Sequence, residues 1–145
     1  MDNLQEIRTY ASTLGLVHTK NELEKLIHSA EEEEESYVTF IRNILGSEIR
    51  YRQNKAKEKR IKEAGFPYLK YLKDFDLNFS QSITKKQLNQ LNELTWIDGL
   101  YNLVLSGPPG VGKTHIAIAL AYHACEEGYK VSYTTMQSLM QCLRT

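Results

Sequence analysis

Apolar positions recur at spacings of three and four through the first part of the chain. Leu4, Ile7, Ala11 and Leu14 make one face that stops near Gly15. This is the period of a short amphipathic helix. Thr19 followed by Glu22 has the form of a capping box and predicts the start of a second helix, carrying Leu23, Leu26, Ile27 and Ala30. Ser36 is placed to cap a third, in which Val38, Ile41, Leu45 and Ile49 line one side. That helix continues to Ala64, where Gly65 and Pro67 stop it.

From Phe66 to Thr84 the periodicity lapses, and aromatics mix with turn formers in what reads as an ordered linker on a surface. Thr84 and Gln87 then form another capping box, opening a helix with Leu88, Leu91 and Leu94. Trp96 to Leu100 carries the chain into Leu103-Val104-Leu105, which reads as a short buried strand. Ile116, Ala117, Leu120, Ala121 and Ala124 return to helical spacing until Gly128. Lys130 to Thr135 reads as a second strand, and a last helix starts near Gln137. The expected organisation is a helical region over residues 1–64, a linker over 65–84 and a partial nucleotide-binding domain over 85–145.

Between the first expected strand and its helix lies Gly107-Pro108-Pro109-Gly110-Val111-Gly112-Lys113-Thr114, the G-x-x-x-x-G-K-T pattern of a phosphate-binding loop. Each fixed position has a physical task. Glycines let backbone N–H groups converge on phosphate oxygens where side chains would block the approach. Lys113 supplies a positive charge to the β and γ phosphates, and Thr114 a hydroxyl for Mg²⁺. The following helix adds the positive end of its dipole. His115 is placed either to face a nucleotide or to pack.

Charge changes the picture locally. Lys plus Arg balance Asp plus Glu at 18 each, so no net field selects nucleic acid or a membrane surface. Yet Glu31 to Glu35 is an unbroken acidic run, and Arg50, Arg52, Lys55, Lys57, Lys59, Arg60 and Lys62 crowd one short stretch. Those seven cations could track DNA phosphates or form a solvated helix face. Cys125 and Cys142 have neither disulfide-framework nor zinc spacing and read as reduced, buried thiols of a cytoplasmic protein. No apolar run is long enough to span a bilayer.

The segments "AGFPYLKYLKDFD", "GPPGVGKTHIAIALAYHACEEGYKV" and "YTTMQSLMQCLR" together resemble the IstB-like ATP-binding proteins, helper ATPases of insertion-sequence transposition related to DnaC helicase loaders. The resemblance runs from about Lys59 to Arg144. It implies ATP and Mg²⁺ as cofactors, a transposase as partner, and an α/β fold in which N-terminal helices precede a P-loop parallel sheet of AAA+ type. Relatives of this kind complete their site with a Walker B strand, a polar sensor and an arginine from a neighbouring subunit. None of these is matched here, and Asp74 and Asp76 lie upstream of the loop in a stretch interrupted by lysines. The expectation is therefore a truncated, incomplete sheet that binds nucleotide with little hydrolysis and does not oligomerise. Its helices before Ala64 should be ordered, and the region after Leu100 only locally helical or prone to aggregate. A helicase-loader fragment and a non-catalytic DNA- or protein-binding module are the alternatives.

Overall fold

The computed structural model describes residues 3–77 and 83–144. Part of the expected linker, residues 78–82, and the terminal Thr145 lie outside the described residues. The chain divides into two compact units, Met1–Ala56 and Lys57–Thr145.

The first unit begins with α1 (Asn3–Thr13) and α2 (Val17–Glu32). They pack as an antiparallel hairpin, since the pairs Arg8–Glu24 and Lys20–Ser12 step in opposite directions along the two helices. Its apolar filling is thin: Ala11 and Leu23 are the buried apolar residues of this unit among those described. Polar bonds therefore carry more of its definition. α2 starts two residues before Thr19, so the expected capping box does not form, and Leu16 at the N-cap offers no side-chain bond. The Thr19 N–H instead donates to Glu48 Oε2 at 3.0 Å, and the Thr19 hydroxyl reaches the same oxygen at 3.2 Å. Glu48 belongs to α3 (Tyr37–Glu63), so a carboxylate from another helix satisfies a donor in the first turn of α2. Arg52 adds a 2.8 Å bond to the Gly15 carbonyl, and His18 stacks on Tyr51. Ser36 caps α3 as the sequence implies, accepting from the Thr39 N–H at 3.2 Å.

The second unit holds the end of α3, a 3-10 turn (Leu72–Asp74), α4 (Lys85–Asn92), α5 (Thr95–Asp98), α6 (Lys113–Glu126) and α7 (Met136–Cys142). Its core is Leu88 of α4 against Ile116 and Leu120 of α6, with Leu72, Phe75, Leu77, Ile83, Leu91, Leu103 and Leu105 packed around them. The capping box at the head of α4 is complete: the Thr84 N–H donates to Gln87 Oε1 at 2.9 Å and the Gln87 N–H to Thr84 Oγ1 at 3.2 Å. α7 has a simpler N-cap, with the Ser138 N–H donating to Thr135 Oγ1 at 3.2 Å.

The expected α/β class is overturned. Among the described residues there are helices and a 3-10 turn but no strand or sheet. Leu103–Leu105 keeps strand-like alternation, with Leu103 and Leu105 against the core and Val104 turned out at 82% exposure. Alternation alone does not make a strand, because a strand exists through a ladder of bonds to a neighbour. Lys130–Thr135 likewise forms no ladder; the Tyr133 N–H donates to the Ala64 carbonyl at 2.7 Å, a bond to the end of α3. The apolar triplet is packed on one face without being paired in a sheet.

Candidate functional site

The loop Gly107–Gly112 joins the segment at Leu105 to α6, and the sequence around it dictates its shape. Gly110 and Gly112 have φ of +85° and +92°, in the region that L side chains rarely enter. Gly112 is constrained twice. A Cβ there would fall 2.5 Å from Cε2 of Phe75, so the aromatic ring of the 3-10 segment seats directly on the head of α6. Gly112 is also the N-cap and supplies no side-chain bond, which leaves the helix start to the backbone.

Gly107, Pro108, Pro109 and Gly110 are exposed, Val111, Gly112 and Lys113 half-buried, and Thr114 exposed on the first turn of α6. Lys113 folds back over its own loop: its Nζ donates to the carbonyls of Gly107 at 2.8 Å and Pro108 at 2.6 Å. The ammonium is thereby held over the loop, on neutral acceptors that a phosphate can replace with stronger, charge-assisted bonds. A cleft of about 490 Å³ opens beside it, lined in part by Gln87, Leu91, Trp96, Ser106, Val111 and Lys113. That volume lies within the usual range of small-molecule sites.

Magnesium is the ion such a loop implies. Thr114 fits as one ligand, because it is an exposed hydroxyl-bearing residue next to Lys113 in the first turn of α6. Among the described residues no group of three or more His, Cys, Asp or Glu stands together to hold a metal.

His115 packs rather than faces the loop mouth. Its Nε2 lies 3.0 Å from the Tyr71 carbonyl, an acceptor only, so Nε2 carries the proton. The ring meets Phe75 edge-on at 5.4 Å. Tyr71 and Phe75 are thus supports of the loop that the sequence reading passed over. The available signal was the density of aromatics in "FPYLKYLKDF", whose seat could not be assigned from spacing. Asp74 closes the 3-10 turn rather than ending a strand.

The basic stretch is largely engaged within the protein. Arg52 holds Glu48 and Gly15, Lys57 pairs with Glu126 at 2.8 Å, Lys59 with Glu63 at 3.7 Å, and Arg60 Nε donates to the Cys125 carbonyl at 2.9 Å. The hydrogen bond and charge of Glu126 raise Lys57 above its ordinary range. The two thiols also differ: Cys125 is buried, and burial raises its pKa, but Cys142 is exposed. No described helix is long and apolar enough to cross a membrane.

Comparison with known proteins agrees with the loop. The chain is 35% identical over 141 residues to a protein of Bacteroides fragilis described as an IS21-like ATP-binding protein of an insertion sequence. It is 34% identical over 140 residues to the IS21 ATP-binding protein of Pseudomonas aeruginosa. To the IS5376 ATP-binding protein of Geobacillus stearothermophilus it is 35% identical over 109 residues. These matches take in 97%, 97% and 75% of this chain, and 54%, 53% and 43% of the respective relatives, so the chain spans about half their length. Residues 9–145 match the family of IstB-like ATP binding proteins, and it is to this family that the chain belongs.

Proposed function

We propose that this chain binds ATP at Gly107–Thr114 and serves the transposition of an insertion sequence. The observation that carries the reading is the Lys113 ammonium held over a glycine loop at the head of α6. Phosphate oxygens would displace the two carbonyls from Nζ, meet the loop N–H groups and the helix dipole, and bring Mg²⁺ to the Thr114 hydroxyl. The relatives' descriptions as ATP-binding proteins of insertion sequences support the assignment, and they point to a transposase as partner. Hydrolysis is not assigned to these residues. Turnover needs a held metal and an oriented water, and the loop supplies neither by itself. Titration of a fluorescent ATP analogue at fixed magnesium tests the proposal, with Lys113→Ala as control. Equal affinity of the two proteins would end it.

DNA contact through Arg50, Arg52, Lys55, Lys57, Lys59, Arg60 and Lys62 is a further part of the proposal. The in-chain bonds of Arg52, Lys57, Lys59 and Arg60 count against it, because phosphates would have to compete with them. A steep fall of DNA affinity with salt, flattened by Lys55→Gln with Lys62→Gln, is the supporting result.

A further inference from the structure

From Lys57 to Phe75 the chain lies along α6 as a strap, running from the last turn of that helix to its head. Lys57 pairs with Glu126 at 2.8 Å, and Arg60 Nε donates to the Cys125 carbonyl at 2.9 Å. Further on, the Tyr71 ring meets Tyr122 edge-on at 5.0 Å, and the Tyr71 carbonyl accepts from His115 Nε2 at 3.0 Å. Phe75 ends the run on Gly112 and against the His115 ring. Partner numbers fall along α6 as residue numbers rise along the strap, so the two are antiparallel. Gly112, His115, Tyr122 and Glu126 follow one another at spacings of three, seven and four, which puts them on one helix face.

The strap divides the glycine loop into two unlike halves. A Cβ at Gly112 would fall 2.5 Å from Cε2 and 3.2 Å from Cζ of the Phe75 ring, whereas one at Gly110 would meet no described atom within 4 Å. Gly107, Pro108, Pro109 and Gly110 are also exposed. When phosphate displaces the two carbonyls from Lys113 Nζ, the half free to adjust is therefore Gly107–Gly110, and the half that carries Lys113 is braced. A braced half presents its N–H groups and its ammonium to an anion with little ordering left to do, which raises affinity. We infer that Phe75 is a positioning residue for phosphate binding. Its ring, tied to α6 through Tyr71 and His115, holds Gly112 at φ of +92° and so sets the head of the helix, without touching the nucleotide. This role rests on nucleotide binding at Gly107–Thr114 and adds to it a support that acts on the phosphates alone.

Isothermal titration of the full chain with ATP and with inorganic triphosphate, at one magnesium concentration, compares Phe75→Ala with Leu72→Ala. Leu72 lies on the same strap and packs on the same core of Leu88, Ile116 and Leu120, yet the three atoms nearest a Gly112 Cβ all belong to Phe75. Both variants should melt at lower temperature than the unaltered protein. At a temperature where both are folded, Phe75→Ala should weaken ATP and triphosphate by the same factor, about tenfold. Leu72→Ala should stay within about twofold of the unaltered protein for both probes. If Phe75→Ala does not fold, Phe75→Leu carries the same comparison, because it keeps apolar bulk in the core but not the flat ring. Loss of ATP affinity with triphosphate unaffected would mean that the ring touches the base, and would overturn the inference. Equal weakening by the Phe75 and Leu72 variants would reduce Phe75 to a core residue and overturn it as well. Unchanged affinity of the Phe75 variant for both probes would do the same, yet leave nucleotide binding standing where Lys113→Ala still abolishes it. An unaltered protein that binds neither probe would remove both readings.

Discussion

Lys113 Nζ stands 2.8 Å from the carbonyl oxygen of Gly107, six residues back along the chain. The contact closes the loop on itself with the group that is to meet phosphate. Lys113→Ala removes both that contact and the charge. Nucleotide affinity should fall roughly ten- to a hundredfold, the range for loss of one hydrogen bond to a charged group. Thermal stability without nucleotide should scarcely change, because the ammonium is bonded at an exposed site. A comparable loss of stability would mean that Lys113 acts mainly as a structural clasp.

Gly112→Ala is expected to damage the same site from below. The residue has φ of +92°, and the new methyl group would meet the Phe75 ring at 2.5 Å. Together these should lower the melting temperature by roughly 5–15 °C. Phe75→Ala removes the collision but not the backbone strain. The double variant should therefore be less destabilised than the sum of its parts. Simple additivity, measured by differential scanning calorimetry, would exclude the ring as the cause.

Glu48 links pH to the stability of the first unit. Burial pushes its pKa up, but the N–H and hydroxyl of Thr19 and the Arg52 guanidinium bond the carboxylate and outweigh burial, so the folded pKa is lowered. A carboxylate with a lowered folded pKa stabilises above its unfolded pKa, and that stability disappears as pH falls through the folded value. Glu48→Gln should be destabilised by about 1–3 kcal/mol at pH 7, from weaker bonds to the Thr19 donors. The gap between wild type and variant should close in acid. Urea curves at pH 7 and in the acid range, followed by circular dichroism, check this; a gap that widens in acid would contradict it.

The thiols give a test of packing. Cys142 is exposed, whereas Cys125 is fully buried and its pKa is raised by that burial, with the Arg60 charge opposing. A thiol reagent at neutral pH should modify one cysteine at once and the second only on unfolding. Rapid reaction of both would mean that α6 does not hold its place at Cys125.

Much of the helix pattern and all of the glycine loop could be read from residue spacing, because caps and loops are local. Thr84 with Gln87 needed no knowledge of the rest of the chain, and Ser36 needed only its place before an apolar period. Thr19 failed for the opposite reason. Its partner is Glu48, twenty-nine residues away, and a distant carboxylate leaves no trace in local sequence. Leu103–Leu105 failed differently. An apolar triplet before a glycine loop has the same composition whether its backbone meets a neighbouring strand or only presses side chains on α4 and α6. The seat of Phe75 on Gly112 was invisible in the same way, since thirty-seven residues separate the ring from the glycine whose missing Cβ leaves room for it.

Lys57 and Arg60, near the end of α3, find their partners Glu126 and Cys125 across sequence separations of 69 and 65 residues. Those bonds set the order of assembly. Closing so long a loop costs chain entropy before the bonds repay it, whereas the local turns of α4 and α6 need no such closure. The α3 end should therefore acquire its native contacts late during refolding. Substitutions at Arg60 should speed unfolding while leaving the folding rate nearly unchanged.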